Sequence, residues 1–175
     1  MEKKFILTAF SKDRPGVVAD ISEVIYENGC NLEDATMTNM LNEFAIILLF
    51  AGKGDGLLDR LLNECRRLER EKAITAFIRP VDPPGTAQPE TEPKKTINVE
   101  GIDQSGIVFN VSRYLASNGI NIEKLTSRKS ASPEAGTIHY FMEIEVRLPG
   151  NFSAEKLEEG LSRVGEKLNL EISVH

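Results

Sequence analysis

The sequence contains few of the side chains that enzymes most often use for catalysis. Only two histidines and two cysteines occur among its 175 residues. His139 falls in the middle of a predicted strand and His175 is the last residue, so Ser-His-Asp and Cys-His arrangements would each need a long-range coincidence. The glycine-rich stretch 52–56 lacks the Gly-Lys-Ser/Thr ending of a phosphate-binding loop. The sequence therefore predicts a non-enzymatic protein with no cofactor and no metal site.

Basic residues are also in short supply. The formal net charge is −6, with 11 basic and 13 acidic side chains in residues 1–80 and 10 and 14 in the remainder. Neither half has the positive surplus with which proteins neutralise nucleic-acid phosphates. We therefore expect no direct binding of nucleic acid.

A signal peptide and an apolar run of about 18 residues, the length that spans a membrane, are both lacking. Cys30 and Cys65 stand in no ligand-like spacing and are expected to be reduced residues of the core. We therefore expect a cytoplasmic protein that does not contact a membrane.

What is present is an internal repeat with an offset of ninety residues. The stretch Asp13-Arg14-Pro15-Gly16 returns as Asp103-Gln104-Ser105-Gly106, and Asn28-Gly29 returns as Asn118-Gly119. The apolar positions between these anchors keep the same register. Because self-similarity at a fixed offset marks a repeated structural unit, the sequence predicts two similar domains.

Each repeat predicts the element order β-α-β-β-α-β. Short β-favouring runs alternate with segments whose apolar residues follow the helical period. This order is typical of an α+β ferredoxin-like domain, in which a four-stranded antiparallel sheet has both helices on one face. We predict a first domain at 1–81, a proline-rich linker at 82–94 and a second domain at 95–175.

The element boundaries follow from the same patterns. In the first domain we predict strands at 4–10, 31–40, 44–50 and 73–81 and helices at about 15–28 and 57–71. In the second we predict strands at 96–100, 121–129, 137–148 and 170–174 and helices at about 106–117 and 153–167. Asp13 is predicted to cap the first helix, with Pro15 in its first turn.

The third strands of the two repeats differ in polarity. Residues 44–50 are apolar throughout, which predicts a strand that is central in its sheet or buried on both faces. In residues 138–147 apolar and largely charged positions alternate. We therefore expect that the open face or edge of the first domain, rather than of the second, is covered by a partner surface.

Both repeats resemble the ACT domain of small-molecule-sensing regulators. The resemblance rests on Asp-x-x-Gly before the first helix and Asn-Gly-x-Asn after it, each present twice, and it covers nearly the whole chain outside the linker. Within the family, the chain length and segments 42–48 and 121–128 are similar to transcription regulators of the glycine cleavage type. The resemblance implies a regulatory protein without a DNA-binding domain of its own, which responds to an amino acid such as glycine and contacts a protein partner such as a transcription activator. It also implies side-by-side pairing of sheets, which a homodimer or the two joined units could satisfy.

The Asp-x-x-Gly corner has the chemistry to hold a zwitterion. A glycine at a strand-to-helix corner allows close approach to the main chain, and the first N–H groups of a helix attract a carboxylate. The aspartate is placed to hold an ammonium group, and the start of the second strand could line the opposite wall. The candidate ligand-binding residues are Asp13, Arg14, Gly16, Asn31, Leu32, Asp103, Gly106 and Asn121.

A purely structural interpretation of this corner stays open. Asp13 and Gly16 could serve only as a cap and a turn, and Arg14 could be solvated. The second repeat has Gln104 and Ser105 where the first has Arg14 and Pro15, so equal ligand binding by both domains is in question. The two hypotheses are an amino-acid-sensing regulator and a constitutive protein-interaction module that binds no metabolite.

Overall fold

The computed structural model of the protein describes residues 2–81, 93–131 and 136–175. It divides into two compact units, Met1–Thr86 and Ala87–His175. Most of the predicted linker, 82–94, lies outside the described residues, and so does the stretch 132–135. The predicted linker and its boundaries therefore stay a prediction.

The first unit has the predicted element order. Its elements are β1 (Glu2–Lys12), α1 (Val17–Glu27), β2 (Asn31–Met40), β3 (Glu43–Lys53), α2 (Leu57–Lys72) and β4 (Thr75–Val81). The four strands form one antiparallel sheet in the order β2-β3-β1-β4. Each helix connects two strands that have one other strand between them, and both helices pack on one face of the sheet, which is the ferredoxin-like arrangement.

The second unit repeats the same order. Its elements are β5 (Lys94–Ile102), α3 (Ile107–Ser117), β6 (Asn121–Ala131), β7 (Ile138–Arg147), α4 (Ala154–Leu168) and β8 (Leu170–Val174). Its sheet is antiparallel with the order β6-β7-β5-β8. The predicted α+β fold of two ferredoxin-like units is confirmed. Within the described part of the chain, no helix is long and apolar enough to cross a membrane.

The core of the first unit lies between its sheet and its two helices. Every second residue of β1 and β3 points toward the helices, and the apolar stripe of each helix points back. Burying a valine, leucine or isoleucine side chain stabilises the fold by about 1.5–3 kcal/mol relative to leaving it exposed. The buried helix residues are Val17, Ile21, Val24 and Ile25 on α1, and Leu57, Leu61, Cys65 and Leu68 on α2.

β3 is central in its sheet, as the apolar run predicted, because it lies between β2 and β1. It is not buried on both faces. Phe44, Ile46 and Phe50 are buried toward the helices, whereas Ile47 on the other face is 50% exposed. The helix-free face of this sheet is therefore apolar and open.

The edge strands β2 and β6 repeat one irregularity. The pairing register shifts at Glu33 in β2 and at Glu123 in β6, ninety residues apart. The same two carboxylates form equivalent ion pairs, with Lys4 Nζ at 2.7 Å and with Lys94 Nζ at 3.2 Å. A bulge that recurs at one position of both units is a feature of the fold rather than a defect.

Candidate functional site

Asp13 lies at the end of β1 and does not cap α1. The residue before the helix is Gly16, whose φ of 90° is left-handed, and no side chain accepts a hydrogen bond there. The predicted cap is therefore wrong, and Pro15 lies before the helix rather than in its first turn. Asp13 instead extends the strand ladder, since its N–H donates to the Asn42 carbonyl at 2.9 Å. Its carboxylate accepts a hydrogen bond from Asn39 Nδ2 at 2.5 Å.

Arg14 is tied to the first turn of α1. Its Nη2 lies 2.6 Å from Asp20 Oδ2, and Lys72 Nζ lies 3.2 Å from the other oxygen of the same carboxylate. The hydrogen bond from Arg14, followed by the contact with Lys72, lowers the pKa of Asp20. Arg14 is thus not simply solvated, and it is not free to clamp a ligand carboxylate while this ion pair is intact.

The corner of the second unit has the same backbone and different charges. Gly106 precedes α3 with φ 90°, and the Asp103 N–H donates to the Ile138 carbonyl at 2.8 Å. The Asp103 carboxylate, however, pairs with Lys129 Nζ at 2.6 Å. Gln104, which replaces Arg14, donates to the Leu168 carbonyl at 2.5 Å and so bonds to the end of α4 instead of to its own helix.

Asn39 and Lys129 occupy equivalent positions, ninety residues apart. In the first unit the aspartate carboxylate bonds to a neutral amide and has no cationic partner among the described residues. In the second unit an ammonium group already neutralises it. The two corners therefore differ in their attraction for a cation, although the strand, turn and helix around them are alike.

A cavity of about 360 Å³ opens beside the second corner. Its charged walls are Asp103 and Lys129, and its apolar wall includes Phe109, which is 61% exposed. The N-terminal end of α3 also lines the cavity, and the first N–H groups of a helix have no acceptor within the helix. This cavity is large enough for a small polar molecule.

Asn31 and Leu32 lie at the far end of the sheet from Asp13. Asn31 and Lys4 both pair with Ala51, whereas Lys12, next to Asp13, pairs with Glu43. Eight residues of strand separate these two points, which is roughly 27 Å. A single first unit therefore does not bring Asp13 and Asn31 into one pocket.

The second unit separates its candidates in the same way. Asn121 pairs with Arg147 at one end of β7, and Asp103 bonds to Ile138 at the other. Of the eight predicted residues, the structure thus groups Asp13, Arg14 and Gly16 in one corner and Asp103 and Gly106 in the other.

The pattern search missed the residues that hold the two aspartates. Asn39, Asn42 and Lys129 belong to the hairpins that follow the first helix, and no local motif marks them. The repeat itself could have pointed to Asn39 and Lys129, because position 39 maps onto position 129.

The two histidines lie apart from both corners. His139 stacks on Phe141 with ring centroids 6.4 Å apart, and His175 Nε2 lies 3.2 Å from Ser173 Oγ in an exposed contact. Among the hydrogen bonds of the described residues, none joins an acid to either ring. In the same part of the chain no group of three or more His, Cys, Asp or Glu side chains is placed to hold a metal ion.

Comparison with known proteins agrees with this architecture. Residues 3–79 match the family model described as the ACT domain. A protein of Methanopyrus kandleri, UPF0237 protein MK1213, is 30% identical over 78 residues, which are 44% of this chain and 87% of that protein. The chain belongs to the ACT-domain family. Because its two units follow one another along the chain, it is a tandem ACT-domain protein.

Two longer matches span the whole tandem. The glycine cleavage system transcriptional repressor of Escherichia coli (strain K12) is 24% identical over 176 residues, which cover 97% of this chain and 88% of the repressor. The crystal structure of an unknown protein from Galdieria sulphuraria superposes with a TM-score of 0.82 at 25% identity, covering 100% of this chain and 98% of that one. Family membership and likeness to a repressor support a regulatory role.

Proposed function

We propose that this tandem ACT-domain protein is a non-enzymatic cytoplasmic regulator. It senses an amino acid, glycine or one similar in size, and modulates transcription of the glycine cleavage type through a protein partner such as a transcription activator. The observation that carries this proposal is the Asp13 corner, where a charged carboxylate lies next to a left-handed glycine and the start of a helix.

The corner offers complementary charges to both ends of an amino acid. The carboxylate of Asp13, bonded only to the neutral amide of Asn39 among the described residues, attracts an ammonium group. The N-terminal end of α1 attracts a carboxylate, because it is the positive end of the helix and its first N–H groups have no acceptor within the helix. The first of them, on Val17, already donates to the Arg14 carbonyl at 3.3 Å. Gly16 has no side chain to block the approach.

Ligand recognition in this proposal belongs mainly to the first unit. Asp103 already pairs with Lys129, so an incoming ammonium group would have to displace a covalently tethered one. The contacts that hold the two turns also differ, since Arg14 pairs with Asp20 whereas Gln104 bonds to the Leu168 carbonyl. This difference also supports unequal ligand binding by the two corners.

Regulation requires that the ligand favour one of two states of the protein or of its complex. A ligand shifts such an equilibrium only by its difference in affinity for the two states. The likeness to a transcriptional repressor over nearly the whole chain supports transcription as the output. The free thiols of Cys30 and Cys65 suit a reducing cytoplasm.

Thermal unfolding against a panel of amino acids tests the proposal. A ligand that binds only the native state at a hundredfold excess over its dissociation constant stabilises it by about 2.7 kcal/mol. We expect a rise in melting temperature with glycine or a similar amino acid that is lost in Asp13→Asn and kept in Asp103→Asn. Asp59→Asn, an exposed acid in the first turn of α2, is the matched control.

The alternative is a constitutive protein-interaction module that binds no metabolite. Asp13 and Arg14 both have partners without any ligand, which favours a structural role for the corner. Absence of any thermal shift at millimolar amino acid, together with partner affinity that glycine leaves unchanged, would establish this alternative and rule out sensing.

A further inference from the structure

The helix-free face of the first sheet is a continuous apolar surface. Phe10, Ile47 and Phe77 are 47%, 50% and 62% exposed, and the rings of Phe10 and Phe77 lie 6.1 Å apart. Ile6 and Leu49 join them across the middle of the sheet, because they pair with each other on β1 and β3. A soluble domain rarely leaves a contiguous apolar patch of this kind without a binding partner.

The fold does not require this face to be apolar. In the second unit the same face presents Glu100, Thr126 and Glu143, with the Arg128 guanidinium over the Phe141 ring at 5.2 Å. Both units have the same topology and equally complete cores. The apolar face of the first unit is therefore a property of that unit's sequence and calls for a reason of its own.

One row of side chains across this face has opposite charges at its two ends. The pairing places Asp34 beside Leu49, Leu49 beside Ile6, and Ile6 beside Arg79. Asp34 and Arg79 are both exposed and lie on the two outer strands, β2 and β4. Among the residues that the structure describes, neither makes an ion pair.

This pattern is complementary to itself under a two-fold rotation. A two-fold axis that runs parallel to the strands, in front of the sheet and between β1 and β3, exchanges the two ends of every row. It places Asp34 of one copy opposite Arg79 of the other, and the same contact forms again on the other side. At the centre of the row, Ile6 of each copy lies opposite Leu49 of the other.

The neighbouring rows are also complementary in size. The row through Thr8 runs Thr36, Ile47, Thr8, Phe77, so rotation puts Phe77 opposite Thr36. In the next row it puts Phe10 opposite Ala45. A large ring against a small residue lets two sheets interdigitate at the usual separation of about 10 Å.

We propose that a second copy of this chain docks on this face, so that the protein is a face-to-face homodimer through its first units. The apolar centre supplies the association, and the two Asp34–Arg79 pairs fix the orientation. This packing differs from side-by-side pairing of sheet edges, because it uses the open face of all four strands.

Charge reversal combined with sedimentation equilibrium tests the proposal. We expect the wild type to be a dimer, and Asp34→Arg or Arg79→Asp alone to raise the dimer dissociation constant about tenfold or more, since each reversal places two like-charged pairs across the interface. The double variant Asp34→Arg/Arg79→Asp restores both attractive pairs and should return to within about threefold of wild type.

Two further variants complete the experiment. Ile47→Asp buries a charge at the centre of the interface and should make the protein monomeric where the wild type is dimeric. Glu171→Arg reverses an exposed charge on the open face of the second unit and should leave the dissociation constant unchanged. A monomeric wild type, a dimer insensitive to the single reversals, or a double variant as weak as the singles would each overturn the proposal.

Discussion

The two units of this protein share one architecture but differ in their exposed surfaces. Their strands and helices follow the same order, and their left-handed corner glycines and β-bulges recur ninety residues apart. Their open faces differ, being apolar in the first unit and polar in the second. The corner aspartate bonds to an amide in the first unit and to an ammonium group in the second. The fold is thus set by core and turn positions that both units share, whereas the proposed ligand site and the proposed dimer face rest on positions where the units differ.

The equivalence of the two cores can be tested with a matched pair of substitutions that each leave a cavity. Leu61 on α2 and Leu157 on α4 are both fully buried and occupy the same place in their units. We expect Leu61→Ala and Leu157→Ala each to lower the free energy of unfolding of its unit by about 3 kcal/mol, because both leave a cavity in a closed core. Urea unfolding measures this, and a cost in only one unit would show that the cores are not equivalent.

The packing of the two helices against each other differs between the units, and a substitution there should have the next largest effect on stability. A Cβ on Gly160 would lie 1.9 Å from the Tyr114 hydroxyl, which itself donates to the Lys156 carbonyl at 3.0 Å. We expect Gly160→Ala to cost about 2 kcal/mol of unfolding free energy, despite the better helix propensity of alanine.

The first unit supplies the control for this contact. It has Val24 ninety residues before Tyr114 and Glu64 ninety-six residues before Gly160, the spacing that also relates Leu61 to Leu157. The double variant Tyr114→Val/Gly160→Ala should therefore recover part of the loss in the same urea experiment. No recovery would mean that the strain does not come from the tyrosine.

Exchanging the partners of the two aspartates tests the difference between the corners. Asn39→Lys places an ammonium group against Asp13, and we expect it to weaken amino-acid binding about tenfold by competing for the carboxylate. Lys129→Asn should open the second corner and add a binding site. Titration calorimetry reads both affinity and stoichiometry; unchanged values in both variants would contradict the assignment of ligand binding to the Asp13 corner.

The smallest expected effect is on acid stability. Asp20 has a pKa below the ordinary 3.8 because Arg14 and Lys72 bond to it. Its contribution to the free energy of unfolding is therefore fully present above that pH and is lost as pH falls through the lower folded-state pKa. The equivalent residue of the second unit is Asn110. We expect the melting temperature of Asp20→Asn to be below that of wild type at pH 6 and the difference to narrow on acidification below pH 4.

A matched substitution controls for the general effect of removing a charge. Asp59→Asn changes an exposed acid in the first turn of α2. Its melting temperature relative to wild type should show less pH dependence than that of Asp20→Asn. Equal profiles for the two variants would mean that the Arg14–Asp20 pair adds nothing.

Much of the fold followed from local patterns. β2 and β8 match their predicted bounds, and α2 ends one residue beyond its predicted end. α1 begins two residues late because Gly16 takes a left-handed conformation, which no sequence period reveals. β1 extends beyond residue 10 because its ladder with β3 continues through charged residues such as Lys12.

The candidate site was predicted only in part. The repeated motif located the corners correctly as strand-to-helix turns with special glycines. It could not predict that Asp13 bonds to Asn39, since that contact depends on how far the β2–β3 hairpin reaches along β1. It also placed Asn31 opposite Asp13, whereas the length of β2 puts the two at opposite ends of the sheet.

By itself, the sequence determined the element order, the duplication, the family and the apolar stripes, because helical and strand periods and turn residues act over a few neighbours along the chain. Only the tertiary structure decided which side chain bonds to each aspartate, which face of the first sheet is left open, and that Asp34 and Arg79 lie at the two ends of one row. The two aspartate contacts join residues 26 positions apart, and Asp34 and Arg79 reach the same row through strand register. Register is set by the packing of the whole sheet.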